Sequence, residues 1–179
     1  SEPTVNYPKN FYARGHQIPN ADRNAVPEMM AQTYYSTNMT PQIQNGFNGG
    51  IWAKLEAAVR EAVPQGDTLY VVTGCSVKGS TDVAYDNDGK AVTVPVGYYK
   101  ALLGYKKTGS LGNSSQNGGY IGCAFWFDHV YYSGDFMTKA MSISELEEKT
   151  GVNFFVNLPS QIDDAKAKAV EQTKDSWWK

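Results

Sequence analysis

The amino-acid sequence predicts an α+β fold: a mixed, mainly antiparallel sheet flanked by helices. Three observations carry this. Tyr120–Phe127 is an apolar run following a Gly/Ser/Asn-rich segment, the pattern of a strong strand. Ile51, Leu55, Val59 and Val63 recur every four residues and lay an apolar stripe along one helix. Ser142 and Glu145 form a capping box, and Gly151 marks the end of the helix they open. Strands and helices of this kind, without a regular βα alternation, belong to packed α+β layers.

The elements follow in order. Segment 1–11 is polar and irregular. Phe11–His16 reads as a short strand with the histidine at its end. Gln17–Asn24 is a loop, from Pro19, Asn20 and Asp22. Val26–Gln32 reads as a short helix with Pro27 in its first turn. Thr33–Thr37 is a candidate strand and Pro41–Gly50 an Asn/Gly-rich loop. The helix over Ile51–Val63 ends at Pro64 and Gly66. Thr68–Gly74 is an apolar run and reads as a buried strand. Residues 79–90 read as a polar loop or hairpin tip, Val92, Val94 and Val96 alternate as a strand does, and Tyr98–Tyr105 is a further strand. Residues 107–119 read as an exposed loop. Beyond the capped helix, Asn153–Leu158 returns to extended chain. Ile162–Lys174 is helix-prone, and Trp177-Trp178 lie near the end of the chain. No internal repeat is visible.

The length of 179 residues suits one domain with a sizeable core. No apolar run approaches the roughly 20 residues of a membrane helix. Net charge is −2, which argues against a globally basic nucleic-acid binder. The charge is unevenly spread, however. All three arginines (Arg14, Arg23 and Arg60) fall in the first 60 residues, where five basic residues face four acidic ones; the rest of the chain carries 11 lysines against 14 acids. The arginines are either a chance cluster or guanidinium groups placed to grip phosphate bidentately. Cys75 and Cys123 lack metal-site spacing. They are either buried thiols or one disulfide between neighbouring strands, and the disulfide is the favoured expectation.

The segment 14–60 holds the chemistry. Arg14-Gly15-His16 is followed by Asn38, Asn48, Glu56 and Arg60. Asn48, Trp52, Glu56 and Arg60 are spaced by four, so on a helix they form a ridge beside the apolar stripe. At about 1.5 Å rise per residue, Glu56 would stand about 12 Å along the axis from Asn48, and Arg60 about 18 Å. Glu56 then reaches a water on an ion held by Asn48, and Arg60 pairs with Glu56 or contacts phosphate. Mg²⁺ suits so sparse a protein shell, because it keeps several waters. Neutral His16 can take a proton from attacking water. Each residue also has an ordinary reading: Asn48 as a helix cap, Glu56 and Arg60 as an i,i+4 ion pair, His16 as an inert histidine. The inert reading applies more strongly to His129, which has no second motif around it.

The ordered neighbours of these residues carry a family resemblance. Tyr12-Ala13-Arg14-Gly15-His16, Tyr35-Ser36-Thr37-Asn38-Met39-Thr40-Pro41-Gln42 and Asn48 through Arg60 resemble the DNA/RNA non-specific endonucleases, the ββα-metal group. Tyr70–Gly74, Val94–Lys100 and Phe154–Pro159 extend the resemblance over most of the chain. It implies a ββα-metal active-site motif with His16 as general base and Asn48 as the single Mg²⁺ ligand. It implies that Glu56 orients metal-bound water, that Asn38 is an active-site asparagine near the histidine, and that Arg14 and Arg60 support the site or the phosphate. The implied reaction is hydrolysis of DNA and RNA with Mg²⁺, or Mn²⁺ or another divalent ion, leaving 5′-phosphate ends. Recognition directed at the backbone accounts for the lack of sequence preference.

Two departures stand out. Position 13 is Ala where the family pattern carries Asp, and Asp22 is a candidate substitute. The family also has a segment before the motif, whereas this chain starts 15 residues before His16. The expectation is a single nuclease domain over 1–179, with a trimmed or short N-terminus or a separate N-terminal fragment, and a homodimer as another possible partnership. The alternative function is a weakened nuclease-fold module that binds nucleic acid or a protein partner; a third is a phosphodiesterase for a smaller substrate. No membrane partner is expected. Asn38-Met39-Thr40 is a glycosylation sequon, and a sugar there would block the site. That points away from a eukaryotic secretory origin and toward a secreted or periplasmic bacterial enzyme.

Overall fold

The computed structural model describes residues 12–86 and 88–174. The polar segment 1–11, with Phe11 of the first expected strand, lies outside the described residues, as do Asn87 in the hairpin tip and Trp177-Trp178. The chain forms two compact units. The first comprises the described residues within 1–56, 73–98 and 127–136, the second those within 57–72, 99–126 and 137–179.

In the first unit, strands β1 (Tyr12–His16) and β2 (Met39–Ile43) pair antiparallel, with His16 opposite Met39, Arg14 opposite Pro41 and Ala13 opposite Gln42. Between them lies the short helix α1 (Pro27–Gln32), which carries proline in its first turn. An irregular turn, Gln44–Trp52, leads from β2 into helix α2 (Ala53–Ala62). Strand β3 follows at Thr68–Ser76. Strands β4 (Val83–Tyr85) and β5 (Ala91–Thr93) form a hairpin, so the stretch 79–90, expected as a polar loop or hairpin tip, itself carries a strand, and of Val92, Val94 and Val96 only Val92 lies in one. The unit is centred on Phe47, which is fully buried among Trp52, Tyr98, Phe127, His129 and Tyr132. Ring centroids there lie 5.0–6.4 Å from that of Phe47, within the range of favourable aromatic pairs.

Strands β6 (Gly97–Tyr105), β7 (Tyr120–Asp128) and β8 (Ala140–Met141) complete a four-stranded sheet in the order β3-β6-β7-β8. In the second unit, helix α3 (Ile143–Thr150) buries Ile143 and Leu146 against Ala101, Ala124 and Phe154. Both reciprocal bonds of its capping box are present: Glu145 N donates to Ser142 Oγ at 3.1 Å and Ser142 N to Glu145 Oε2 at 2.7 Å. Helices α4 (Leu158–Gln161) and α5 (Asp164–Glu171) follow, and Leu158, Ala167 and Val170 pack on Leu103. Among the described residues no helix is long and apolar enough to cross a membrane.

Several expectations are corrected. Thr33–Thr37 is not a strand: the chain leaves α1 into a 3-10 turn at Ser36–Asn38. The Asn38 amide donates to Thr33 O at 2.9 Å, and this local bond outweighs the β propensity of the threonines and tyrosines. Pro41–Gly50 is not simply loop, because Pro41, Gln42 and Ile43 belong to β2. Regular helix starts at Ala53 rather than Ile51, and Val63 is 52% exposed while Ala62 is buried. A four-residue step overshoots the 3.6-residue turn, so three steps from Ile51 carry Val63 about 120° round the helix. The apolar run at 68–74 does form a strand, but at the end of the sheet order, where Tyr70, Val71 and Val72 are exposed. The loop 107–119 is partly packed: Leu111, Ser114 and Asn117 are buried, and Ser114 Oγ accepts from Leu111 N at 2.8 Å. Residues 153–158 turn into α4 instead of running extended, with Phe155 at φ 50°. Cys75 and Cys123 are both reduced, so the expected disulfide is absent.

Candidate active site

β1 ends in the histidine. Alternation along the strand puts Arg14 and His16 on one face and Ala13 and Gly15 on the other. The His16 ring meets Tyr34 edge-on, with centroids 5.5 Å apart and planes at 78°. Its Nε2 is buried with no hydrogen-bond partner among the described residues. The ring bonds instead to the Arg14 backbone. That bond favours the charged ring, so the backbone partner is the carbonyl and the donor is Nδ1, leaving the Nε2 lone pair open. Burial, then the Arg14 guanidinium, lowers the His16 pKa, while the carbonyl bond raises it; the net shift is downward. Burial and the neighbouring arginine thus favour the neutral imidazole, whose Nε2 has no hydrogen-bond partner among the described residues.

The opposite face of β1 is filled by Gln42, which has no exposed surface. A Cβ at Gly15 would overlap the Gln42 side chain, so only glycine fits beside the histidine. Both polar atoms of the Gln42 amide are buried without a well-formed hydrogen bond, although the amide lies near the Tyr98 hydroxyl. That hydroxyl donates to Pro41 O at 2.8 Å and ties β6 to β2.

Asn38 is committed to the chain around the histidine. Its Oδ1 accepts from Ile18 N at 2.9 Å, and its Nδ2 donates to Ile18 O at 3.0 Å and Thr33 O at 2.9 Å. Gln17 N donates to Asn38 O at 2.9 Å. These bonds fix the loop leaving His16, so the geometry gives Asn38 a positioning part.

Asn48 sits in the irregular turn, which both β1 and β2 contact. Gly46, at φ 75°, and Gly50, at φ −123° and ψ −112°, interrupt helical geometry on either side of it. Phe47, Ile51 and Trp52 anchor the turn in the core. Asn48 Nδ2 donates to Gln44 Oε1 at 2.8 Å, and its Oδ1 has no hydrogen-bond partner among the described residues. The expected ridge is therefore broken: Trp52 is buried core, and Asn48 precedes the regular helix. Distances along an ideal helix from Asn48 do not apply. Glu56 and Arg60 do lie one turn apart on α2, both half-buried.

His129 is structural. Its Nε2 accepts from Ile43 N at 2.8 Å, which places the proton on Nδ1, 2.8 Å from Pro95 O. Sequence reasoning missed Gln44 and Gln42. Gln44 left a signal, standing four residues before Asn48; Gln42 left only its place in the motif.

The donor set fits a hard cation with a mostly aqueous shell. An amide oxygen with no protein partner among the described residues and a carboxylate on α2 are oxygen donors of the kind such a cation takes. No cluster of three His, Cys, Asp or Glu is found among the described residues.

Comparison with known proteins decides the family. A model of the DNA/RNA non-specific endonucleases matches residues 2–161. The chain belongs to the DNA/RNA non-specific endonuclease family. A nuclease of the cyanobacterium Nostoc is 35% identical over 87% of this chain and 55% of its own length. The mitochondrial nuclease EXOG of zebrafish is 30% identical over 87% of this chain and 46% of its own. The mitochondrial Nuclease 1 of fission yeast is 28% identical over 86% and 49%. This endonuclease-family chain thus spans about half the length of the curated relatives it matches. Crystalline EndoG, in complex with EndoGI, superposes with a TM-score of 0.64 at 23% identity, covering 80% of this chain and 59% of that one, so the fold is the ββα-metal nuclease fold.

One expectation falls here. A secreted or periplasmic bacterial location does not stand against mitochondrial relatives in zebrafish and fission yeast. The sequon spoke only against a eukaryotic secretory origin, and a mitochondrial location satisfies that condition as readily as a bacterial one.

Proposed function

We propose that this chain is the catalytic part of a divalent-metal-dependent endonuclease that hydrolyses phosphodiester bonds of DNA and RNA. The observation that carries the reading is the buried, unpartnered Nε2 of His16, in a ring whose pKa is lowered by burial and by Arg14, on a strand that contacts the turn bearing Asn48. His16 Nε2 takes the proton from the attacking water. Asn48 Oδ1 would hold the cation, Mg²⁺ or Mn²⁺, with Gln44 fixing the amide. The cation, when bound, offsets charge developing on the phosphate and the departing 3′ oxygen. Glu56 orients water at that position, and Arg14 and Arg60 hold phosphate oxygens. Asn38 keeps the 17–18 loop and hence His16 in place. Ala13 stands on the face opposite His16, so its missing carboxylate removes no group from the reacting side.

The test is digestion of plasmid DNA and of RNA with Mg²⁺ and with EDTA. Degradation of both polymers with Mg²⁺ and neither with EDTA supports the reading. Salt-sensitive binding without cleavage under any divalent ion would replace it with a binding module.

A further inference from the structure

A cleft of about 510 Å³ opens within the second unit, and no role described above uses it. The volume falls within the roughly 300–1,000 Å³ of small-molecule sites. Its floor is Leu103 and Leu158, both buried in the core cluster beneath. Tyr70, Tyr120 and Phe155 supply aromatic rings. Tyr120 is braced from behind by Tyr105, with centroids 4.7 Å apart. Phe155 holds φ 50°, a conformation a bulky side chain rarely adopts and one that concentrates at binding sites.

The polar lining is equally selective. Asn153, Asn157 and Gln161 present exposed side-chain amides, none with a hydrogen-bond partner among the described residues. Among the described residues, no charged one lines the cleft. Such a lining offers phosphate no positive charge among the described residues. It has flat rings for stacking, and amides that both donate and accept, as base edges require.

We propose that this cleft binds a nucleobase of an unpaired strand, by stacking on its aromatic rings and by hydrogen bonds from Asn157 and Gln161. The choice of a nucleobase rests on the nuclease reading; the geometry of the cleft does not. The cleft gives the chain a second hold on single-stranded substrate, one that depends on the base and not on the phosphate. Tyr70 is 48% exposed and Gln161 is exposed, so both can be replaced without disturbing the core.

The experiment titrates the full chain, in EDTA, with adenosine, with ribose and with inorganic phosphate, reading the side-chain amide resonances of Asn157 and Gln161. Adenosine should move both and the other two should not. Tyr70→Ala and Gln161→Ala should each weaken binding of a short single-stranded oligodeoxyadenylate about tenfold, while duplex plasmid is cut at the wild-type rate with Mg²⁺. Silence of these amides toward adenosine, an equal response to ribose, or wild-type oligonucleotide binding by both variants would overturn the proposal. A wild-type chain that fails to cut plasmid refutes the nuclease reading alone, since the adenosine titration needs no cleavage.

Discussion

Asn48 Nδ2 donates to Gln44 Oε1 at 2.8 Å, and this one bond determines which end of the Asn48 amide is available to a cation. A flipped amide would turn a donor toward the ion. Gln44→Ala removes the restraint and leaves the ligand in place. Losing a partner that orients a ligand typically costs about 10–100-fold in metal affinity or activity. The Mg²⁺ concentration for half-maximal cleavage should rise by a factor in that range, with the rate at saturating Mg²⁺ changed less. An unaltered Mg²⁺ dependence would mean that the bond does not orient the ligand.

The pH profile of cleavage should have its acid limb below pH 6.5. Burial and then Arg14 lower the His16 pKa, and only the neutral ring accepts a proton. Activity is therefore retained as pH falls to 6.5 and lost below it. Arg14→Gln removes the repulsion and should move the limb to higher pH, besides slowing the reaction. A limb in the variant at or below the wild-type position would contradict the electrostatic account.

Folding stability should fall in the same direction through a different histidine. His129 Nε2 accepts from Ile43 N, so a proton there breaks the bond and faces a donor. Burial lowers its folded pKa, while the Pro95 carbonyl bond raises it in part. A depressed folded pKa makes the stabilisation complete above the unfolded value near 6.5 and lost as pH falls through the folded value. Urea midpoints measured from pH 7.5 to 5 should decline in the wild type and decline less in His129→Gln. His16 contributes a loss of the same sign, so the difference between the two proteins is the quantity to read. Parallel curves would remove His129 from the explanation.

Gly15→Ala tests the packing behind the histidine. The added methyl meets the Gln42 side chain, which is fully buried and cannot swing into solvent. Overpacking of this kind costs about 1–3 kcal/mol. Thermal unfolding should shift down accordingly, and cleavage should slow because β1 carries His16. Wild-type stability would show that Gln42 has room to move.

The capped helix, the central strand and the histidine motif were legible in the sequence, and the turn that carries Asn48 was not. The capping box at Ser142 and the strand over 120–127 rest on local chemistry, and both formed as read. His16 and its motif were recognisable because their order is specific. What the sequence hid was the path between them. Asn48 was placed on a helical ridge by its spacing from Glu56, but Gly46 and Gly50 break the helix, and Trp52 turns inward to meet Phe47. Periodicity assumes one uniform helix and cannot register such an interruption. Likewise, the apolar run at 68–74 signals a strand without saying whether a neighbour covers it. Asn38 was legible as a motif residue; its three side-chain bonds to Ile18 and Thr33 depend on a tertiary turn.

The central claim is that His16 Nε2 is the proton acceptor of a phosphodiester hydrolysis. Its most direct test is plasmid cleavage with saturating Mg²⁺ by the wild type and by His16→Ala, with circular dichroism confirming that the variant is folded. The account predicts cleavage by the wild type and a loss of at least about 100-fold in the variant, the scale of a positioned general base. Undiminished cutting by a folded, uncontaminated His16→Ala protein would contradict it.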